Sequence, residues 1–211
     1  METKHQVHNL IILDESGSMG SIKNTIIQGF NEIVQTIKGI ESQFPEQEHF
    51  ISLISFNGLG QKVLHFNEPV AKLEQIDDSK YQPDASTPLY DAIGFSLNKL
   101  KNILATKTDY NVLVTIMTDG EENASKEFNG KEIKKMIDDL KNENWTFTYI
   151  GADHDVENFA LNISITNSMR FHKNEDDMKK MFESEKTSRA NYSRKIRDKE
   201  DTTEGYFEEP K

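Results

Sequence analysis

The sequence predicts a doubly wound α/β fold: a mostly parallel sheet with one antiparallel edge strand and helices on both faces. Three observations carry this expectation. Apolar runs such as LIIL at Leu10 to Leu13 are too continuous for half-exposed strands and imply strands buried on both faces. Along the chain these runs alternate with segments whose apolar residues recur every three or four positions, the period of a helix. One pair of strands is joined too tightly for a crossover, over Gly58 and Gly60, and so reads as an antiparallel hairpin at an edge.

Taken in order, Val7 to Leu13 is the expected central strand. Ile22, Ile26, Phe30, Ile33, Ile37 and Ile40 then give one apolar helical face, widened by Ile27 and Val34. Phe50 to Phe56 and Lys62 to Phe66 are the two strands of the hairpin. Pro88 opens the next helix, where its missing N–H costs nothing, and Leu89, Ile93, Leu97, Leu100 and Leu104 form its buried stripe. Asn111 to Met117 is a further β-rich run. It is followed by a helix around Ile133 to Leu140, a strand from Trp145 to Ile150, a short helix near Phe159, and a weak strand at Ser168 to Phe171. Met178, Met181 and Phe182 suggest one more helix, after which apolar residues thin out. The expected division is therefore a single domain over 1–187 and a charged, flexible tail over 188–211.

Composition narrows the function. The chain has 211 residues, no cysteine and a formal net charge of −11. Disulfides and thiolate metal sites are excluded, leaving carboxylate, hydroxyl and imidazole as ligands. The negative charge opposes binding to nucleic acid, which relies on clustered Lys and Arg. No apolar stretch approaches the roughly 20 residues needed to cross a bilayer, and the short apolar segment near the N-terminus runs into acidic residues instead of a cleavage site. The expectation is a cytoplasmic protein that neither binds nucleic acid nor inserts into a membrane.

In an open parallel sheet, ligands bind beyond the carboxyl ends of the strands. Three segments bring oxygen ligands there. DESGS follows the first strand with Asp14, Ser16 and Ser18; ASTPLYD presents Thr87 just before a helix; MTDGEEN places Asp119 after the Asn111 to Met117 strand. Two carboxylates and three hydroxyls suit Mg²⁺ or Mn²⁺ and suit softer metals poorly. DESGS by itself is also what a helix N-cap looks like, and only the agreement of three separated segments raises it above that. Glu121 and Glu122 read as a solvated loop, His154 as part of a helix N-terminal cap, and Trp145 as a core aromatic.

These residues resemble the metal-ion-dependent adhesion site (MIDAS) of the von Willebrand factor A (VWA) domain, a Rossmann-like fold. The family pattern is Asp-x-Ser-x-Ser after the first strand, a Thr in a later loop and an Asp after the fourth strand, and Asp14, Ser16, Ser18, Thr87 and Asp119 match it. In element order the resemblance covers residues 5–185. It implies that Ser16 and Ser18 bind the metal directly, that Thr87 and Asp119 bind it directly or through water, and that Asp14 holds waters and serines in place. It further implies a noncatalytic, Mg²⁺- or Mn²⁺-dependent binding module whose ion accepts a Glu or Asp carboxylate from a protein partner, such as an AAA+ ATPase or a stress-response assembly.

The alternative from the enzyme class is a Mg²⁺-dependent phosphoryl-transfer hydrolase with Asp14 as nucleophile. Enzymes of the haloacid dehalogenase type carry a second acid two positions later, where this chain has Ser16. A nucleotide site at the SGSMGS turn would need a phosphate-binding lysine and a glycine spacing that are not there.

Overall fold

The computed structural model describes residues 4–208. Six strands and five helices form the expected architecture: β1 (His5–Asp14), α1 (Lys23–Gln43), β2 (Gln47–Asn57), β3 (Gly60–Pro69), α2 (Leu89–Leu104), β4 (Tyr110–Thr118), α3 (Gly130–Lys141), β5 (Trp145–Gly151), α4 (Val156–Asn162), β6 (Asn167–Arg170) and α5 (Glu175–Asp198). The sheet runs β3-β2-β1-β4-β5-β6. Only the β2–β3 pairing is antiparallel, and it lies at the edge.

The continuous apolar runs are explained by two cores. Leu10 and Ile12 of β1 face α2, α3 and α4, whereas Ile11 and Leu13 face α1 and α5. Period-two alternation thus still operates within β1, but both faces are covered. Trp145 is fully buried at the start of β5.

Local signals set the ends of the helices. Asn129 and Glu132 form a capping box on α3. Asn174 caps α5, whose first turn carries Glu175, Asp176 and Asp177, charges that complement the helix dipole. Gly29 of α1 is required by close approach, since a Cβ there would fall 1.9 Å from the Phe182 ring of α5.

The C-terminal expectation needs correction. Helix α5 does not end near Ser188 but continues to Asp198, with Ser188, Arg189, Tyr192 and Ser193 buried. Arg189 pairs with Glu185 at 2.7 Å and donates to Asn9 Oδ1 of β1 and Thr115 Oγ1 of β4, both at 2.8 Å. The chain then folds back: Thr202 O accepts from Thr146 Oγ1, Thr203 O accepts from Asn167 Nδ2, and the Tyr206 amide donates to Asn167 Oδ1. Tyr206 buries its ring against Tyr192. The apparent tail is anchored largely by polar contacts, which a search for apolar periodicity passes over. Residues 209–211 of the expected tail lie outside the described residues.

Candidate metal centre

The carboxyl ends of β1 and β4 lie side by side, Leu13 opposite Met117, so the loops that follow them meet. Asp14 is fully buried at the end of β1. Its Oδ2 accepts from Thr118 Oγ1 at 2.6 Å, its Oδ1 from the Ser16 amide at 2.7 Å, and its carbonyl from the Tyr81 hydroxyl at 2.6 Å. Burial pushes the Asp14 carboxyl above its ordinary range, the Thr118 and Ser16 hydrogen bonds pull it back, and the neighbouring Asp119 charge adds to the rise.

From there a chain of oxygens leads outward. The Ser16 and Ser18 hydroxyls are 3.1 Å apart, and Ser18 donates to Asp119 Oδ1 at 2.6 Å. Ser16 and Asp119 are buried, while Ser18 is exposed. Asp119 Oδ2 is buried, and what lies against it is the Lys173 ammonium, at 2.6 Å. Lys173 also reaches Asp153 Oδ2 at 2.7 Å. Burial disfavours the ammonium, but hydrogen bonds and charge from Asp119 and Asp153 outweigh it and raise the Lys173 pKa.

Thr87 stands beside this chain. Its backbone is clamped to Asn123, with the Thr87 amide donating to Asn123 Oδ1 at 3.0 Å and the Asn123 amide donating to Thr87 O at 3.2 Å. A Cβ on Gly120 would lie 3.7 Å from Thr87 Oγ1, which places that hydroxyl against the residue following Asp119. Among the described residues it makes no hydrogen bond to the other four candidates. Four of the five residues therefore form one hydrogen-bonded group, and the fifth adjoins it.

Several supporting residues carry no motif. Glu15 points away from the oxygen chain into a buried site, where it accepts from Ser55 Oγ and the Gln82 amide and pairs with Lys62 at 2.7 Å. The Gly17 amide donates to the carbonyl of Ala85, a residue in the left-handed region (φ 63) at a cost of about 1 kcal/mol. Gly58 lets the β2–β3 hairpin press against the same loop, since a Cβ there would meet Ser86 Oγ at 2.3 Å.

Glu122 is not the solvated loop residue that composition suggests, although Glu121 beside it is exposed. It accepts from the amides of Tyr90, Ala124 and Ser125. Asp91 of α2 takes the amides of Lys126, Glu127 and Phe128. At α4 the cap is Asp155, and His154 is buried against the Tyr149 hydroxyl and the Ala152 carbonyl.

The donor set fits a hard divalent ion, consisting of hydroxyl and carboxylate oxygens around a buried anionic oxygen that draws a cation to it. Among the described residues no cluster of three or more His, Asp and Glu is placed to hold a metal, so any ion here would depend on the serine and threonine hydroxyls.

The family pattern of the von Willebrand factor type A domain matches residues 10–191. This chain belongs to that family. Solved structures agree on the fold. A von Willebrand factor type A protein from Catenulispora acidiphila is 14% identical with a TM-score of 0.59, over 88% of this chain and 42% of that one. Proximal thread matrix protein 1 from the mussel byssus, with a zinc-occupied MIDAS motif, is 14% identical with a TM-score of 0.55, over 89% and 46%. The SpRpn10 VWA domain is 12% identical with a TM-score of 0.51, over 86% and 95%. The VWA chain described here spans less than half the length of the first two proteins. No curated protein sequence matches it. No helix among the described residues is long and apolar enough to cross a membrane.

Proposed function

We propose that this VWA domain is a noncatalytic protein-binding module in which Ser16, Ser18 and Asp119, with Asp14 behind them and Thr87 beside them, hold Mg²⁺ or Mn²⁺. The observation that carries this reading is the Ser16–Ser18–Asp119 oxygen chain at the carboxyl ends of β1 and β4, which stops at a buried carboxylate oxygen facing only a cation. A bound ion would supply electrophilic attraction for the Asp or Glu side chain of a partner. The protein's own residues do the rest. Thr118 and the Ser16 amide fix the orientation of Asp14, which in turn sets the serine-bearing turn, while Asn123 fixes Thr87. Few charged ligands in the set would leave the ion free to accept an anionic side chain. Both Asp14 oxygens are engaged and the residue is fully buried, which speaks against the phosphoryl-transfer alternative with Asp14 as nucleophile.

The test compares thermal melting in Mg²⁺ or Mn²⁺ with melting in EDTA. A ligand that binds only the folded state raises the midpoint, by about 2.7 kcal/mol of stability at a hundredfold excess over Kd. Asp14→Ala and Thr87→Ala should abolish that rise. Capture of a partner should depend on the same ion and the same residues. No metal response in the wild-type protein would sink the reading, and turnover of an aryl phosphate lost in Asp14→Ala would replace it with the hydrolase.

A further inference from the structure

Lys173 sits in the loop between β6 and α5, one residue before the α5 cap Asn174. Its ammonium bridges two very different carboxylates: Asp119, whose side chain is 0% exposed, and Asp153, whose side chain is 56% exposed. Asp119 is thereby fully engaged, one oxygen by the Ser18 hydroxyl and the other by Lys173. A carboxylate buried this deeply demands a counter-charge, because desolvation without one is costly. An ammonium against Asp119 Oδ2 meets that demand from within the chain. It also stands where its charge opposes a divalent ion, since like charges at such separations in a partly dry site repel strongly. The two cations are therefore alternatives for one anion. Asp153 makes the exchange feasible, for it is the more exposed of the two carboxylates, already contacts the ammonium at 2.7 Å, and can keep it after Asp119 is given up.

We infer that Lys173 is a tethered cation that competes with the divalent ion for Asp119, and that Asp153 is the acceptor that holds it once displaced. This rests on the metal-site reading above and adds to it that metal affinity is held down by a group inside the protein. Lys173 thereby offsets the buried Asp119 charge, and metal binding moves a positive charge toward the more exposed Asp153.

The experiment titrates Mn²⁺ into the full chain by calorimetry, for wild type, Lys173→Met, Asp153→Asn and the double variant. Lys173→Met should tighten Mn²⁺ binding by roughly tenfold. Asp153→Asn should weaken it, and that effect should shrink in the Lys173→Met background, since the acceptor matters only while there is an ammonium to receive. In parallel, acetylation of Lys173 in the wild-type protein, read by mass spectrometry, should accelerate when Mn²⁺ saturates the site, a readout that does not depend on any variant folding. Mn²⁺ binding by Lys173→Met no tighter than wild type, or Lys173 labelling unchanged by saturating Mn²⁺, would overturn the inference while leaving the metal module intact. Failure of wild type and Lys173→Met alike to bind Mn²⁺ would overturn both.

Discussion

Two buried histidines should make this protein acid-sensitive well above the range in which carboxylates titrate. His8 of β1 is 1% exposed, stacked on Phe50 with ring centroids 5.0 Å apart, and neither ring nitrogen has a directed hydrogen-bond partner. Burial, followed by the Lys107 charge, lowers its pKa from 6.5 to about 4. His49 of β2 is lowered to about 3, by burial and then by Arg189. A histidine whose pKa is depressed by folding takes up protons more readily in the unfolded chain. Its contribution is complete above the unfolded value of 6.5 and drains away as the pH falls toward the folded value. Between about pH 7 and about pH 5 the linkage relation gives a loss of about 2 kcal/mol for each ring. Together that is about 4 kcal/mol, a large part of a typical domain's 5–15 kcal/mol. His8→Phe keeps the stacked ring and removes one titrating group. Urea unfolding in EDTA, followed by circular dichroism at both pH values, should show wild type losing about 2 kcal/mol more than His8→Phe loses. Asp14, whose pKa is raised, acts in the opposite sense but equally in both proteins, so it cancels in the comparison. An identical pH-dependent loss in the two proteins would refute the assignment of the effect to His8.

Three further outcomes follow from packing. Gly29→Ala should destabilise by about 1–3 kcal/mol because the new methyl meets the Phe182 ring, whereas Gly39→Ala, in the same helix with nothing within 4 Å, should stabilise by about 0.5–1 kcal/mol; urea midpoints distinguish the signs. Arg189→Met should cost about 3–5 kcal/mol by stranding the buried Glu185, and adding Glu185→Met should recover much of the loss in the same assay. Ending the chain after Asp198 should lower the melting temperature by removing the buried Tyr206 ring, worth about 1.5–3 kcal/mol; a flexible tail would make that truncation neutral.

The sheet was readable because both faces of each central strand are apolar, and the candidate site because its serines, threonine and aspartates fall at strand or helix ends in recognisable local patterns. The second half of α5 was not readable. Its inward stripe is Glu185, Ser188, Arg189, Tyr192 and Ser193, only one of them aromatic, and it docks on Asn9 and Thr115, polar residues within strands; on both sides the pattern resembles a solvated surface. Lys173 and Asp153 meet only because β5 and β6 pair in parallel and bring their following loops together, Gly151 opposite Arg170. Neither residue carries a local signal. Glu122 was misread for a related reason, since composition cannot tell a carboxylate that faces water from one that gathers main-chain amides.

Those amides bear on how the site responds to a cation. From Ala124 to Phe128 every main-chain N–H is held by Glu122 or Asp91, and Asn123 is tied to Thr87. The rim beside Asp119 is thus knitted by internal anions, with its main-chain donors already paired. Little conformational freedom remains there to be lost on binding, so a cation's arrival would register as a redistribution of charge across a rigid surface. A partner would then sense the electrical state of that surface rather than a change in its shape.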